Sequence, residues 1–307
     1  MPTPEQRLRG LYGFDFPDDF FRFRDFLARL PRGALADACD MRPAYPFNAA
    51  AGRKPGDHPR RPLWEDRYYH DLPEFVTLFT GGTDGLHWGY FFDSPGEHPP
   101  VVVHYWHSDS FDHGVDGDGL FEAIRLQVEV SDRGYREMID DDPDGADHYR
   151  RKLDRLAAVR GALAGFGPAD RPETGDDYLD AYAAGSAWRR PAAGTWGKLG
   201  VVVPPDRYRA LSAEPFTVDK SGRADPRRPR VQKLTAEALG LLRSGHPGAA
   251  LKLGHDLWVS ANDFPECYDL LDAAYAALGR EPLRKLMAEA RAFREHCDRP
   301  GRPGPGG

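Results

Sequence analysis

Histidines and acids crowd one stretch of the chain: His104 and His107 flank Tyr105-Trp106, and Asp109, Asp112 and His113 follow. Imidazoles and carboxylates at such spacing are the usual ligands of a divalent transition metal. The surrounding apolar residues predict a strand, whose alternation sends His104 and His107 to opposite faces. Ligands on opposite faces do not share an ion, so these read as polar residues at a strand end, and no metal is expected. The next segment, Asp116-Gly117-Asp118-Gly119, imitates a calcium loop. Aligning Gly119 with the loop glycine puts Gly114 at the first ligand position and Arg125 where a bidentate acid belongs, so both decisive ligands are missing. Ser186 and Ser244 are candidate nucleophiles, but neither sits in a nucleophile-elbow context. The sequence holds no Gly-x-Gly-x-x-Gly after a strand, no phosphate-binding loop and no His-Glu-x-x-His. Motifs alone assign no catalytic centre, and no cofactor is expected.

The elements that would position such residues alternate between helix and sheet. Pro17-Asp18-Asp19 suits a helix start, and Phe20, Phe23, Leu27 and Leu30 recur at helical spacing behind it. Residues 43–62, rich in Pro, Gly, Ala and Arg, read as a loop. From Leu72 to Val103, apolar runs alternate with Gly-Gly, Asp-Gly and Pro-Gly turns, which predicts an antiparallel meander. A helix follows, with Gly119 before it and Leu120, Ile124 and Val128 on one stripe. The acidic break at 139–148 is the expected domain boundary. Beyond it come a helix over Tyr149–Leu163, a strand in KLGVVVPP from Lys198, and an exposed loop at 219–230. Helices over Val231–Leu242, Gly248–Val259, Pro265–Leu278 and Leu283–His296 complete the chain. The expected fold is α+β in two domains: 10–138 with an antiparallel sheet and flanking helices, and 149–296, mostly helical with a small sheet. Residues 298–307 read as a disordered tail.

Composition bounds the function. The chain has 307 residues with 41 Lys+Arg against 48 Asp+Glu, a net charge of -7. The acidic balance argues against nucleic-acid binding by bulk charge, and no apolar run is long enough to span a membrane. Only 7 of the 41 cations are lysine, a skew that reads as genome composition. Three dispersed cysteines, Cys39, Cys267 and Cys297, and a charged N-terminus without an apolar stretch predict a cytoplasmic protein without signal peptide or disulfides.

Several segments in order resemble one family. They are Tyr12-Gly-Phe-Asp-Phe-Pro17-Asp-Asp19-Phe20-Phe21, Pro73-Glu74-Phe75, and His87-x-Gly89-Tyr90-Phe91-x-Asp93-Ser94-Pro95 with Glu97. Gly117-Asp118 with Phe121-x-Ala123, Gly200-Val-Val-Val-Pro204 with Tyr208-Arg209-x-Leu211, and Leu251-Lys-Leu-Gly254-His-Asp256-Leu257-Trp258 follow. Together these resemble the histone PARylation factor 1 family (DUF2228), in a bacterial-type form. The resemblance implies an accessory protein that docks onto the catalytic domain of a poly(ADP-ribose) polymerase and completes its active site. A family Glu acts there as general base on the acceptor serine hydroxyl, and an Arg shapes the composite site. Such a base is chemically necessary, since the serine must lose a proton to attack the ribose carbon.

The carry-over is partial. The family Tyr-Arg pair matches Tyr208-Arg209. Counting back from Leu251, the family Asp-Glu pair falls on Arg243 and Ser244, and the next acid on His246. A serine is no general base at neutral pH, so no catalytic residue carries over. Glu237 lies two helical turns before Ser244, about 10 Å along the axis, and Asn262-Asp263 and Glu266 follow the matching helix rather than precede it. His246, as the side-chain type that can serve as a base at physiological pH, is the remaining candidate base. The expectation is a non-enzymatic accessory protein with a pseudo-active site, holding an ADP-ribosyltransferase through Tyr208, Arg209, Ser244 and His246. A second, shorter resemblance links PEFVTLFTGGTDGLHWGYFFDSPGE to the strand-turn-strand segment of SMI1/KNR4 (SUKH) modules. It implies instead an immunity or interaction module that neutralises a toxin domain.

Overall fold

A computed structural model describes residues 1–55, 61–107, 112–166, 189–218, 224–225, 228–260 and 264–298. Asp109, Ser186, Asn262-Asp263, most of the 219–230 loop and the tail from 299 lie outside them. Helix α1, Pro4–Tyr12, starts in a capping box between Thr3 and Gln6 and stops at Gly13 in the left-handed conformation. Helix α2, Asp18–Arg29, buries Phe20, Phe23 and Phe26. Phe26 thus takes the place expected of Leu27 and Leu30, which are only partly buried at the edge of the core.

The sheet is an antiparallel meander in the order β1-β2-β3-β4-β5. Its strands are β1 Arg42–Pro43, β2 Phe75–Thr80, β3 Leu86–Phe91, β4 Val101–Trp106 and β5 Gly114–Gly117. Phe23 of α2 meets Phe79 of β2 at 5.7 Å and Phe121 at 5.2 Å. Phe121 begins helix α5, Leu120–Asp141, which buries Leu120, Ile124 and Val128 as the stripe predicted. Asp19 ties three elements together. It accepts the Tyr90 hydroxyl at 2.5 Å and caps α5 by accepting the Leu120 N–H at 2.7 Å. The acidic break is the turn between α5 and α6, Ala146–Leu163, and α6 packs back onto α5 and onto α3, Ala34–Cys39.

Two local expectations need correction. The supposed loop at 43–62 contains helix α4, Tyr45–Ala50, with Tyr45, Phe47, Ala49 and Ala50 buried. Its caps come from far away: Asp66 accepts the Tyr45 N–H, and Arg7 donates to the Ala50 carbonyl. KLGVVVPP forms no strand beyond one bridge between Val201 and Ala193. Lys198 and Gly200 sit at positive φ, which breaks the extended run. Its carbonyls go to side chains instead: Leu199 and Gly200 accept from Arg189, and Val202 from Arg280. The small second sheet is β6 Thr217–Val218 with β7 Ala224–Asp225.

The predicted C-terminal helices are present as α7 Arg228–Arg243, α8 Gly248–Trp258, α9 Glu266–Ala277 and α10 Glu281–Cys297. The architecture is therefore α+β, with sheet and flanking helices first and a mostly helical second half. Among the described residues, no helix is long and apolar enough to cross a membrane.

Every residue of α8 is buried, although it carries Lys252, His255 and Asp256. Buried polar groups need partners, and the N-terminal half supplies some of them. Glu74 accepts from His255 at 2.7 Å and from the Tyr275 hydroxyl at 2.5 Å. Burial would raise the Glu74 carboxyl, but His255 and Tyr275 outweigh it and hold it below the ordinary value. The Trp258 indole donates to the Asp71 carbonyl at 3.0 Å. Arg294 of α10 lies 4.0 Å over the Trp258 ring and donates to its carbonyl.

Beside that joint, His70 lies against Arg294, with His107 5.3 Å away. Burial, then Arg294, then His107 push His70 down to about 3, and burial lowers His107 as well although Asp71 opposes it. The native rings stay neutral where unfolded histidine, near 6.5, takes up a proton. The unfolded state then binds more protons, so stability is full above about pH 6.5 and falls as pH drops toward 3. Urea denaturation at pH 5.0 should show about 2 kcal/mol less stability than at pH 7.5. His70→Gln should flatten this dependence, and an unchanged slope would remove His70 from the account.

Candidate functional site

The sequence-selected histidines do not converge. His104 pairs with Asp116 at 2.8 Å, His107 lies against the Tyr68 ring, and His113 is buried beside the Gly197 carbonyl. Asp112 meets Lys198 at 2.5 Å. Asp118 donates its N–H to Glu122, which fixes the start of α5. Among the described residues, no group of His, Cys, Asp and Glu is arranged to hold a metal ion.

Tyr208 opens onto a cleft of about 510 Å³, walled by the 193–196 segment, Glu214, Phe216, Lys252 and Asp256. An irregular stretch, 189–216, is laid over the start of α8 to form it. Gly248 makes the close approach possible, since a Cβ there would stand 2.8 Å from Val203 and 3.0 Å from Tyr208. Lys252 donates to Glu214 and to Asp256, each at 2.8 Å, and Asp256 also accepts the Trp196 N–H at 2.7 Å. Burial alone would lower the Lys252 ammonium, but Asp256 and Glu214 outweigh it and raise it, so it stays charged. Burial raises Asp256 against the pull of Lys252. Trp196 and Phe216 meet edge to face at 5.4 Å on the opposite wall. Burial, with Glu214 and Asp256 nearby, raises the half-buried Tyr208 phenol, which therefore stays neutral and can donate a hydrogen bond.

Arg209 is exposed and is not among the residues that line this cleft, and it makes no hydrogen bond or ion pair among the described residues. Ser244 and His246 form the turn between α7 and α8. The Ser244 hydroxyl donates to the Leu241 carbonyl at 2.8 Å and lies 3.4 Å from His246 Nδ1. Glu237 is already engaged, accepting the N–H and the hydroxyl of Ser212 at 2.7 and 2.6 Å. Among the described residues, no carboxylate hydrogen-bonds to Ser244. The structure thus brings Tyr208 to the cleft and Ser244 to His246, but it does not gather all four residues into one hydrogen-bonded cluster. Sequence reasoning missed Lys252, Asp256, Glu214 and Trp196. The available signal was a Lys-x-x-x-Asp pair inside an otherwise apolar helix, which demands buried partners.

The profile of the family described as HPF1, histone PARylation factor 1, matches residues 3–159, slightly more than half of the chain. That segment runs from α1 into α6 and contains the whole five-stranded sheet, while Tyr208, Arg209, Ser244 and His246 lie beyond it. A Mus musculus protein named Histone PARylation factor 1 is 33% identical over 143 residues, covering 42% of this chain and 41% of its own. A Danio rerio protein of the same name is 31% identical over 129 residues, covering 39% and 36%. The chain thus spans about two-fifths of the length of the curated relatives it matches. With the profile, the order of the signature segments and the α+β architecture in agreement, this chain belongs to the histone PARylation factor 1 family.

Proposed function

We propose that the protein is a non-enzymatic accessory factor that holds an ADP-ribosyltransferase catalytic domain through the face bearing Tyr208, Arg209, Ser244 and His246. Family membership supports the kind of partner. The observation that carries the non-enzymatic reading is the α7–α8 turn, where the position matched to the family acid is Ser244, bonded to a carbonyl and, among the described residues, to no carboxylate. A serine hydroxyl so placed cannot take a proton from an acceptor serine. An exposed guanidinium at Arg209, unpaired among the described residues, is suited to a bidentate contact with a partner carboxylate.

Arg209→Ala should weaken binding to such a catalytic domain by about tenfold or more in calorimetry, with the fold unchanged. Binding that ignores Arg209 and follows substitutions on the N-terminal sheet would replace this reading with the toxin-neutralising one. NAD-dependent labelling of a serine peptide by the wild-type complex, abolished by Glu237→Gln, would show a relocated acid and overturn the non-enzymatic part.

A further inference from the structure

A second concavity, far in sequence from Tyr208, lies where the end of α2 meets α3 and α4. It encloses about 530 Å³, within the range of roughly 300–1,000 Å³ that ligand pockets occupy. Its apolar lining includes Leu27, Leu30, Pro31, Leu35 and Phe47. Its charged lining is of one sign: Arg24, Arg32 and Arg53, with no acidic residue among them. Arg24 is partly answered by Asp25 at 3.0 Å. Among the described residues, Arg32 has no hydrogen bond or ion pair, and the Arg53 guanidinium reaches only the Asn48 side chain, at 3.5 Å. Arg7, which caps α4, adds a further cation behind Gly52.

We propose that this groove is a docking site for an acidic amphipathic peptide segment of another protein. Charge complementarity selects the occupant. In a chain of net charge -7, a concave patch whose lining carries only positive charge attracts carboxylates against the sign of the whole molecule. The apolar floor excludes a bare anion as the natural ligand, because an ion would leave the leucines and proline uncovered. A segment with apolar residues three and four apart covers the floor while its flanking Asp or Glu side chains reach Arg32 and Arg53. The groove lies in the N-terminal half and uses none of Tyr208, Arg209, Ser244 or His246, so it stands or falls apart from the proposed function.

The test is selection of a random library of peptides of about twelve residues on the immobilised full chain, counter-selected on R32E/R53E. Both arginines are exposed, and matching circular dichroism and Tm would show that the variant folds; R32Q/R53Q replaces it otherwise. The expected result is enrichment of peptides with two or more carboxylates among apolar residues at helical spacing. A synthetic peptide of that kind should bind the variant about tenfold more weakly and lose several-fold in affinity at high salt. Three results overturn the proposal: no enrichment, enrichment without an acidic bias, or the same peptides recovered on the variant. If phosphatidylserine vesicles sediment the wild type through Arg32 and Arg53 while no peptide is enriched, the groove is instead a lipid-contacting surface.

Discussion

Asp71→Ala should cost about 3–5 kcal/mol of folding stability, which is a large share of the 5–15 kcal/mol typical of a domain. The carboxylate is fully buried and accepts from four donors. His87 Nε2 lies 2.9 Å from Oδ1, which also takes the Tyr105 hydroxyl. The Tyr68 N–H and the Thr77 hydroxyl reach Oδ2 at 3.0 and 3.1 Å. The other ring nitrogen of His87 faces the Gly85 carbonyl at 2.7 Å, so the ring is held between two acceptors. Burial would raise the Asp71 carboxyl, but His87, Arg67 and Tyr105 together outweigh it and hold it at about 2. Removing the carboxylate strands all four donors at once. Thr77→Val removes only one donor and should cost about 1 kcal/mol. Urea denaturation of the two variants gives the comparison, and equal losses would mean that Asp71 is not the centre of the cluster.

Asp93→Ala should be comparably severe, about 3–5 kcal/mol, for a different reason. Arg189 meets Asp93 in a bidentate pair at 2.8 and 3.0 Å, with both side chains nearly inaccessible to water. Alanine leaves a buried guanidinium against the Leu199 and Gly200 carbonyls without its bidentate carboxylate partner. The double variant Asp93→Leu/Arg189→Met removes both charges, though it leaves those two carbonyls without their donor. It should therefore be clearly more stable than the sum of the single losses predicts, with a coupling of about 2 kcal/mol or more. Additive losses would show that the pair is not coupled and that Arg189 acts only through the carbonyls.

Most of the regular elements could be read locally, because their signals are local. The α2 phenylalanines, the turn-punctuated meander and the α5 stripe each declare themselves within a dozen residues. Helix α4 does not, since it is capped by Asp66 and Arg7, residues that become neighbours only once the chain has folded. KLGVVVPP misleads for the converse reason: its valines are strand formers, yet its carbonyls are claimed by Arg189 and Arg280. The candidate site was legible in part. Tyr208 does line a cleft, while the charged half of that cleft, Lys252 and Asp256, lay inside a motif valued only as a family signature. Glu74, His87, Asp93 and Trp258 share that history, as signature residues whose observed role is to satisfy buried polar groups.

The reach of α8 and of Arg189 also bears on how this sequence can be passed between genes. The segment that the family profile covers contains Glu74 and Asp93, yet their partners His255, Tyr275 and Arg189 all lie outside it. A gene fusion that carried residues 3–159 alone would inherit two buried carboxylates and none of the groups that neutralise them. The half that the family profile matches is therefore not a portable cassette. Wherever it travels, it must bring a C-terminal half with a histidine, a tyrosine and an arginine at the same places, or else replace both acids.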